Sequence, residues 1–164
     1  MISEKMQKAL NDQINAELFS SYLYLSMATY FEAENWIGFA GWMKKQSSEE
    51  YDHAMKFFHY LTEVGSRVTL EALEKPKTAW NSPLEAYEEA HKHELYITKR
   101  INDLVSLAQS EKDYATNNFL QWFVNEQVEE VSSVDQIVNK FKLVGDNKVA
   151  LYMLDKELGS RAGS

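Results

Sequence analysis

The sequence predicts an all-α fold: an up-down four-helix bundle with one long crossover connection and a short fifth C-terminal helix. Three observations predict it. The 164 residues include only six glycines and two prolines, too few to punctuate a β-sandwich or barrel, which turns about every 8–12 residues. Positions 1–37 and 84–144 contain neither residue. Through those stretches apolar residues recur three and four apart, the spacing of one helix face.

The elements follow in order. Ser3 is placed to cap a first helix over about 4–33. A break at Glu34-Asn35 lets Asn35 cap a second helix over about 35–64, and Gly65 stands where a left-handed C-terminal residue belongs. Ser82-Pro83-Leu84-Glu85 opens the third helix, about 83–110, with a capping serine, proline at the first helical position and glutamate three residues after the cap. Asp113 caps a fourth helix over about 114–144, which Gly145 stops. Asp146 begins a short last helix over about 147–158, and Gly159-Ser160-Arg161-Ala162-Gly163-Ser164 reads as a frayed tail. Short connections make the first and last pairs of long helices antiparallel hairpins. The segment 66–81, which contains Pro76, reaches roughly 50 Å when extended, against about 45 Å for a 30-residue helix. It can therefore travel the bundle length, leaving the second and third helices parallel. Residues 1–164 read as a single domain.

Seventeen basic residues against 25 acidic ones give a net charge of −8, with no basic run. Phosphate binding needs clustered Lys and Arg, so no nucleic acid or anionic membrane is expected as a partner. The absence of cysteine excludes disulfides, thiolate zinc sites, iron–sulfur clusters and a rubredoxin-like iron site. The opening MISEKMQKAL lacks a long apolar signal core, and no run approaches 18 apolar residues, so a soluble, cytoplasmic protein is expected.

The chemistry lies in what interrupts the apolar stripes. The first helix presents Leu10, Ile14, Glu17, Ser21, Tyr24, Ala28 and Phe31; the second Phe39, Met43, Gln46, Glu50, His53, Phe57 and Val64. The third presents Leu84, Tyr87, Glu94, Ile101 and Ala108, with His91 and Thr98 at the intervening steps. The fourth presents Leu120, Phe123, Gln127, Glu130, Val134, Ile137, Phe141 and Val144. Each stripe is interrupted by a carboxylate near its helix midpoint, and midpoints of packed helices of similar length meet at one level. No Lys or Arg occupies these stripes to neutralise Glu17, Glu50, Glu94 and Glu130. An unpaired interior ion costs several kcal/mol, and four facing anions also repel. Protonation or bound cations must relieve the site, and oxygen ligands converging with one histidine nitrogen point to a divalent metal. His59, His91 and His93 have no such company, and His59 and His93 read as surface residues.

The set Glu17, Glu50-x-x-His53, Glu94 and Gln127-x-x-Glu130 resembles the bacterial non-haem ferritins over essentially the whole chain, crossover and fifth helix included. Other di-iron carboxylate bundles carry a second Glu-x-x-His on the last long helix, where this chain has Gln127-x-x-Glu130. Asp52 stands where a haem-binding bacterioferritin is expected to carry methionine, so no haem is expected. The resemblance implies a ferroxidase: two Fe2+ bind per subunit, O2 oxidises them, and Fe3+ collects as a hydrated oxide inside a shell of 24 identical subunits. It implies that Glu17, Glu50 and His53 hold the first iron, with Glu50 bridging, and that Glu94 and Glu130 hold the second. Gln127 would orient iron-bound oxygen. Tyr24 would either supply an electron or bond a ligand carboxylate from the core, and Trp122 would donate an electron or anchor the Gln127 level. Glu49, Glu126 and Glu129 form a second acidic group, a solvated face or, by the resemblance, a third iron site sharing Glu130. A rubrerythrin-like di-iron enzyme and a metal-free structural bundle are the competing readings. The first is disfavoured by Gln127 and the lack of cysteine, the second by the four facing carboxylates.

Overall fold

The computed structural model describes residues 2–163; Met1 and Ser164, the two ends of the expected domain, lie outside them. Five α-helices follow in order: α1 (Glu4–Ala33), α2 (Ile37–Glu63), α3 (Pro83–Ser110), α4 (Tyr114–Val144) and α5 (Lys148–Gly159), with a 3-10 turn at Ser160–Gly163. The described residues contain no strand.

The helix starts have local causes. Ser3, Ser82 and Asp113 each accept a backbone N–H three residues on, from Met6, Glu85 and Thr116. Glu85 also accepts the Asn81 N–H. The ends of α1, α2 and α3 close alike, through a positive-φ residue at Asn35, Gly65 and Lys112. In each, the next N–H reaches back five residues: Trp36 to Phe31, Ser66 to Leu61, Asp113 to Ala108. Asn35 therefore does not cap α2. It adopts the left-handed conformation that asparagine tolerates, and Trp36 becomes the N-cap without a side-chain bond. Similarly, Asn147 rather than Asp146 caps α5, accepting from Ala150 N at 2.9 Å.

The segment between α2 and α3 runs along α1. Asn11 pairs with Arg67 and Thr69, Asn15 with Ala72, Ser26 with Lys77, and Tyr30 packs on Trp80. Numbers rise together on both sides, so the segment runs parallel to α1 and delivers α3 to the end where α1 finishes. Tyr24–Glu94, Gln13–Arg100 and Ser3–Glu111 then pair α1 with α3 antiparallel, so α2 and α3 are parallel.

Two apolar clusters fill the bundle. One gathers Tyr24, Met27, Phe31, Phe39, Tyr87 and Phe141; the other gathers Leu10, Ile14, Phe57, Ile101, Leu120 and Phe123. On α3 the intervening core steps belong to Ala90, Ile97 and Leu104, while His91 and Thr98 are only half-buried. Between the clusters lies a layer of buried polar side chains drawn from all four long helices.

The start of α2 is completed from the other end of the chain. Phe39 N donates to Asp155 Oδ1 of α5 at 2.8 Å, the cap that Trp36 does not supply. Gly38 makes room for it: a Cβ there would lie 1.7 Å from the Asp155 carbonyl oxygen, and one on Gly159 would lie 2.9 Å from the Gly38 Cα. The tail is consequently placed rather than frayed as far as Arg161, whose guanidinium lies over the Trp42 ring at 4.2 Å.

Asp155→Ala should lower stability by about 1 kcal/mol, the usual worth of an N-cap, or roughly 2–4 °C in Tm for a chain of this size. Gly38→Ala should cost more, because backbone must move. Calorimetric melts that place Gly38→Ala at or above wild type would show that the α2–α5 contact does not hold the fold.

Candidate metal centre

Antiparallel α1/α2 and α3/α4 hairpins bring Glu17, Glu50, Glu94 and Glu130 to one depth, each within a polar layer that packing has closed to water. Glu50 and Glu94 are 0 % exposed, Glu17 1 %, His53 4 % and Glu130 6 %. Ligand atoms of Glu17, Glu50 and His53 lie within 4.8 Å of one another, as do those of Glu50, Glu94 and Glu130 and those of His53, Glu126 and Glu130. Glu50 is thus common to the first two groups, and His53 and Glu130 link them to the third.

The polar contacts fix these side chains. Gln13 Nε2 donates to Glu17 Oε1 at 3.0 Å, and Gln46 Nε2 donates to Glu50 Oε1 at 2.9 Å and Glu130 Oε2 at 2.7 Å. His53 Nδ1 lies 3.2 Å from Glu50 Oε2, and its ring meets Trp122 edge-on at 5.4 Å. Tyr24 donates its hydroxyl to Glu94 Oε1 at 2.5 Å. Gln127 Nε2 contacts Glu94 Oε2 at 3.1 Å, the Glu94 carbonyl at 3.2 Å and Thr98 Oγ1 at 3.1 Å. The Gln127 amide group therefore steadies Glu94. Glu17 Oε2 is buried with no hydrogen-bond partner, a carboxylate oxygen whose unmet need a cation would fill.

The electrostatics agree with the geometry. Burial pushes the Glu17 and Glu50 carboxyls well above the usual range, with neighbouring carboxylates adding to it. Glu94 is also raised by burial, against the opposing bonds from Tyr24 and Gln127. Glu130 is raised to about 8, first by burial and then by Glu94. Burial beside these anions drives the Tyr24 phenol well above its ordinary value. Oxygen donors of this kind with a single imidazole suit a first-row divalent ion better than a soft one, and the empty-handed Glu17 oxygen fits that group.

The second acidic group lies beside the centre. Glu49, Glu126, Glu129 and Glu130 line a cavity of about 330 Å3 with Trp42 and Arg161. Glu49 is already engaged there, accepting from Arg161 Nη2 at 2.8 Å. His59 is exposed, but His93 is not the surface residue the sequence suggests: it is half-buried, its Nε2 lies 2.7 Å from Ser20 Oγ, and burial lowers its pKa to about 4. Sequence reasoning passed over Gln13, and named Thr98 only as a step of the α3 stripe. The spacing Gln13-x-x-x-Glu17, repeated in Gln46-x-x-x-Glu50, was the signal that could have found the former.

Among the described residues no helix is long and apolar enough to cross a membrane. A family model described as a ferritin-like domain matches residues 7–144. The chain is 46% identical to a bacterial non-heme ferritin of Bacteroides fragilis over 161 residues, covering 98% of this chain and all of that protein. It is 38% identical to one of Staphylococcus aureus over 98% of this chain and 97% of the other. Among solved structures, an open pore ferritin of the hyperthermophilic archaeon Archaeoglobus fulgidus superposes with a TM-score of 0.96 at 55% identity, covering 97% of this chain and 98% of that one.

Because the four carboxyls keep their protons more tightly folded than unfolded, their protonated forms stabilise the metal-free bundle at acid pH. That stability should fall as pH rises from the ordinary value of 4.5 towards about 8, where Glu130 ionises. Melts of metal-free protein should show Tm declining across this window, and a flat or rising Tm would mean the carboxylates are solvated.

Proposed function

The chain belongs to the ferritin family, and from that membership we propose that it stores iron, oxidising Fe2+ with O2 at a di-iron centre within each subunit. The observation that carries the proposal is the sharing of Glu50 between two three-ligand groups in one buried layer. Two adjacent cation seats joined by a carboxylate suit a substrate that arrives as Fe2+ and must lose one electron per ion to a two-electron or four-electron acceptor.

In this reading Glu17, Glu50 and His53 hold the first iron, and Glu50, Glu94 and Glu130 the second. Each carboxyl gives up its proton as it takes the metal, which also removes the penalty of ionisation in an apolar interior. Hard oxygen donors hold Fe3+ better than Fe2+, favouring oxidation. One imidazole for two irons leaves the second seat weaker, and a storage protein needs a product that can leave. Gln127 keeps Glu94 in place, and Tyr24, bonded to Glu94 Oε1, lies close enough to pass an electron to the site. Glu126 with His53 and Glu130, beside Glu49 and Glu129, offers a third iron seat on the way out.

Storage as a hydrated Fe3+ oxide requires an enclosure, proposed as a shell of 24 subunits in the cytoplasm. Leu143 at 86 % exposed, Tyr114 at 76 %, Ile37 at 73 % and Val149 at 71 % are apolar surfaces on the isolated chain that contacts between subunits would cover.

Particle mass and iron content measured on one sample test the whole reading: a storage shell should take up iron far beyond three per subunit and stay in solution, whereas saturation near two would indicate a di-iron enzyme. His53→Ala should slow Fe2+ oxidation by at least about tenfold, given that even residues behind metal ligands are worth that much; an unchanged initial rate would refute the ligand assignment. Glu130→Ala should impair oxidation more than Glu129→Ala, because only Glu130 reaches both acidic groups, and equal defects would remove that distinction.

A further inference from the structure

Two glutamines stand behind the carboxylates, each four residues before one of them: Gln13 before Glu17 on α1, and Gln46 before Glu50 on α2. Both are 0 % exposed. Their Nε2 atoms donate to Glu17 on one side and to Glu50 and Glu130 on the other. On the far side of each amide sits a guanidinium. Arg100 Nε of α3 donates to Gln13 Oε1 at 2.9 Å, and Arg161 Nη2 donates to Gln46 Oε1 at 2.9 Å.

We propose that Arg100 and Arg161 are positioning residues of the metal centre, each acting through a glutamine amide that it locks towards the ligand carboxylates. This rests on the ligand reading above. A carboxylate only accepts and a guanidinium only donates, whereas a glutamine amide has one end of each kind. With arginine behind it, only one orientation of the amide satisfies both neighbours. The flipped orientation sets NH2 against guanidinium and oxygen against carboxylate, and loses every one of these bonds. The locked amide fixes the carboxylate rotamer and favours its ionised form, the form a metal needs.

Both arginines are themselves held. Arg100 donates to the Tyr96 hydroxyl at 3.3 Å. Arg161 bonds Glu49 and lies over Trp42, at the end of a tail anchored through Asp155 and Gly38. The sign of the effect separates this role from bare charge. A guanidinium acting only as a nearby cation repels a metal ion, so its loss would tighten binding; a guanidinium acting through glutamine supports the ligands, so its loss weakens binding.

The test is anaerobic titration of metal-free protein with Co2+, followed by its ligand-field absorption. Gln13→Met should weaken the tightest Co2+ site about tenfold and Arg100→Met about threefold, with the double variant no weaker than Gln13→Met. Arg100→Lys, which keeps a donor, should recover part of the loss. The Gln46 and Arg161 arm, run in a Glu49→Gln background so that metal at Glu49 is not counted, should behave alike. Tighter or unchanged binding in the arginine variants, or a double variant whose loss is the product of the single losses, would overturn the proposal while leaving the ligand reading intact. If Glu17→Gln and Glu50→Gln also leave Co2+ binding unchanged, the ligand reading falls and the proposal with it.

Discussion

A carboxylate in an apolar interior is stable only with a proton or a cation beside it, and the middle of this bundle contains four. Everything around Glu17, Glu50, Glu94 and Glu130 follows from that constraint. The helices must be long, so that apolar clusters above and below the polar layer can outweigh the cost of burying it. The donors that do reach the carboxylates are mainly neutral ones, Gln13, Gln46, Gln127 and Tyr24. They steady the oxygens without cancelling their charge, which leaves that task to a proton or to a cation from outside. Lysines in the layer would have neutralised the carboxylates from within and left no place for a cation.

Much of this was legible in the sequence because it is local. Ser3, Ser82 and Asp113 cap their helices through bonds three residues long, and the carboxylates announce themselves by breaking stripes of fixed period. Asn35 misleads because asparagine serves equally well as an N-cap and in left-handed backbone, and the choice depends on how the turn closes onto Phe31. His93 misleads because the stripe read on α3 passed through His91 and Thr98, whereas the core steps Ala90 and Ile97, three before it and four after, turn it towards Ser20 and Phe19 of α1. Gln13 escapes notice because its neighbour Ile14 also fits the spacing between Leu10 and Glu17, and an apolar residue is the natural choice to fill the stripe. The roles of Asp155 and Arg161 depend on contacts made across more than a hundred residues, and such contacts leave no pattern in the chain.

The C-terminal helix does more than close the end of the bundle. Its Asp155 supplies the cap that α2 lacks, the close approach of Gly38 and Gly159 sets its depth, and the tail beyond it carries a guanidinium to the edge of the polar layer. The second acidic group is therefore not a bare patch of anions: Glu49 is matched with a cation from the same chain, Glu126 stands 3.9 Å from His53 Nε2, and Glu129 is left to the solvent side.

The candidate ligands are distributed unequally over the two hairpins. Glu17, Glu50 and His53 all belong to α1 and α2, which are joined by a turn of three residues between their bounds. Glu94 and Glu130 belong to the second hairpin, and the long crossover must be laid down before they arrive. In the proposed reading the first hairpin alone would carry the three-residue group Glu17, Glu50 and His53, whereas the group of Glu50, Glu94 and Glu130 needs both hairpins docked. Glu50, common to both groups and held by Gln46 of its own helix, is then the residue through which docking of the second hairpin would complete the site.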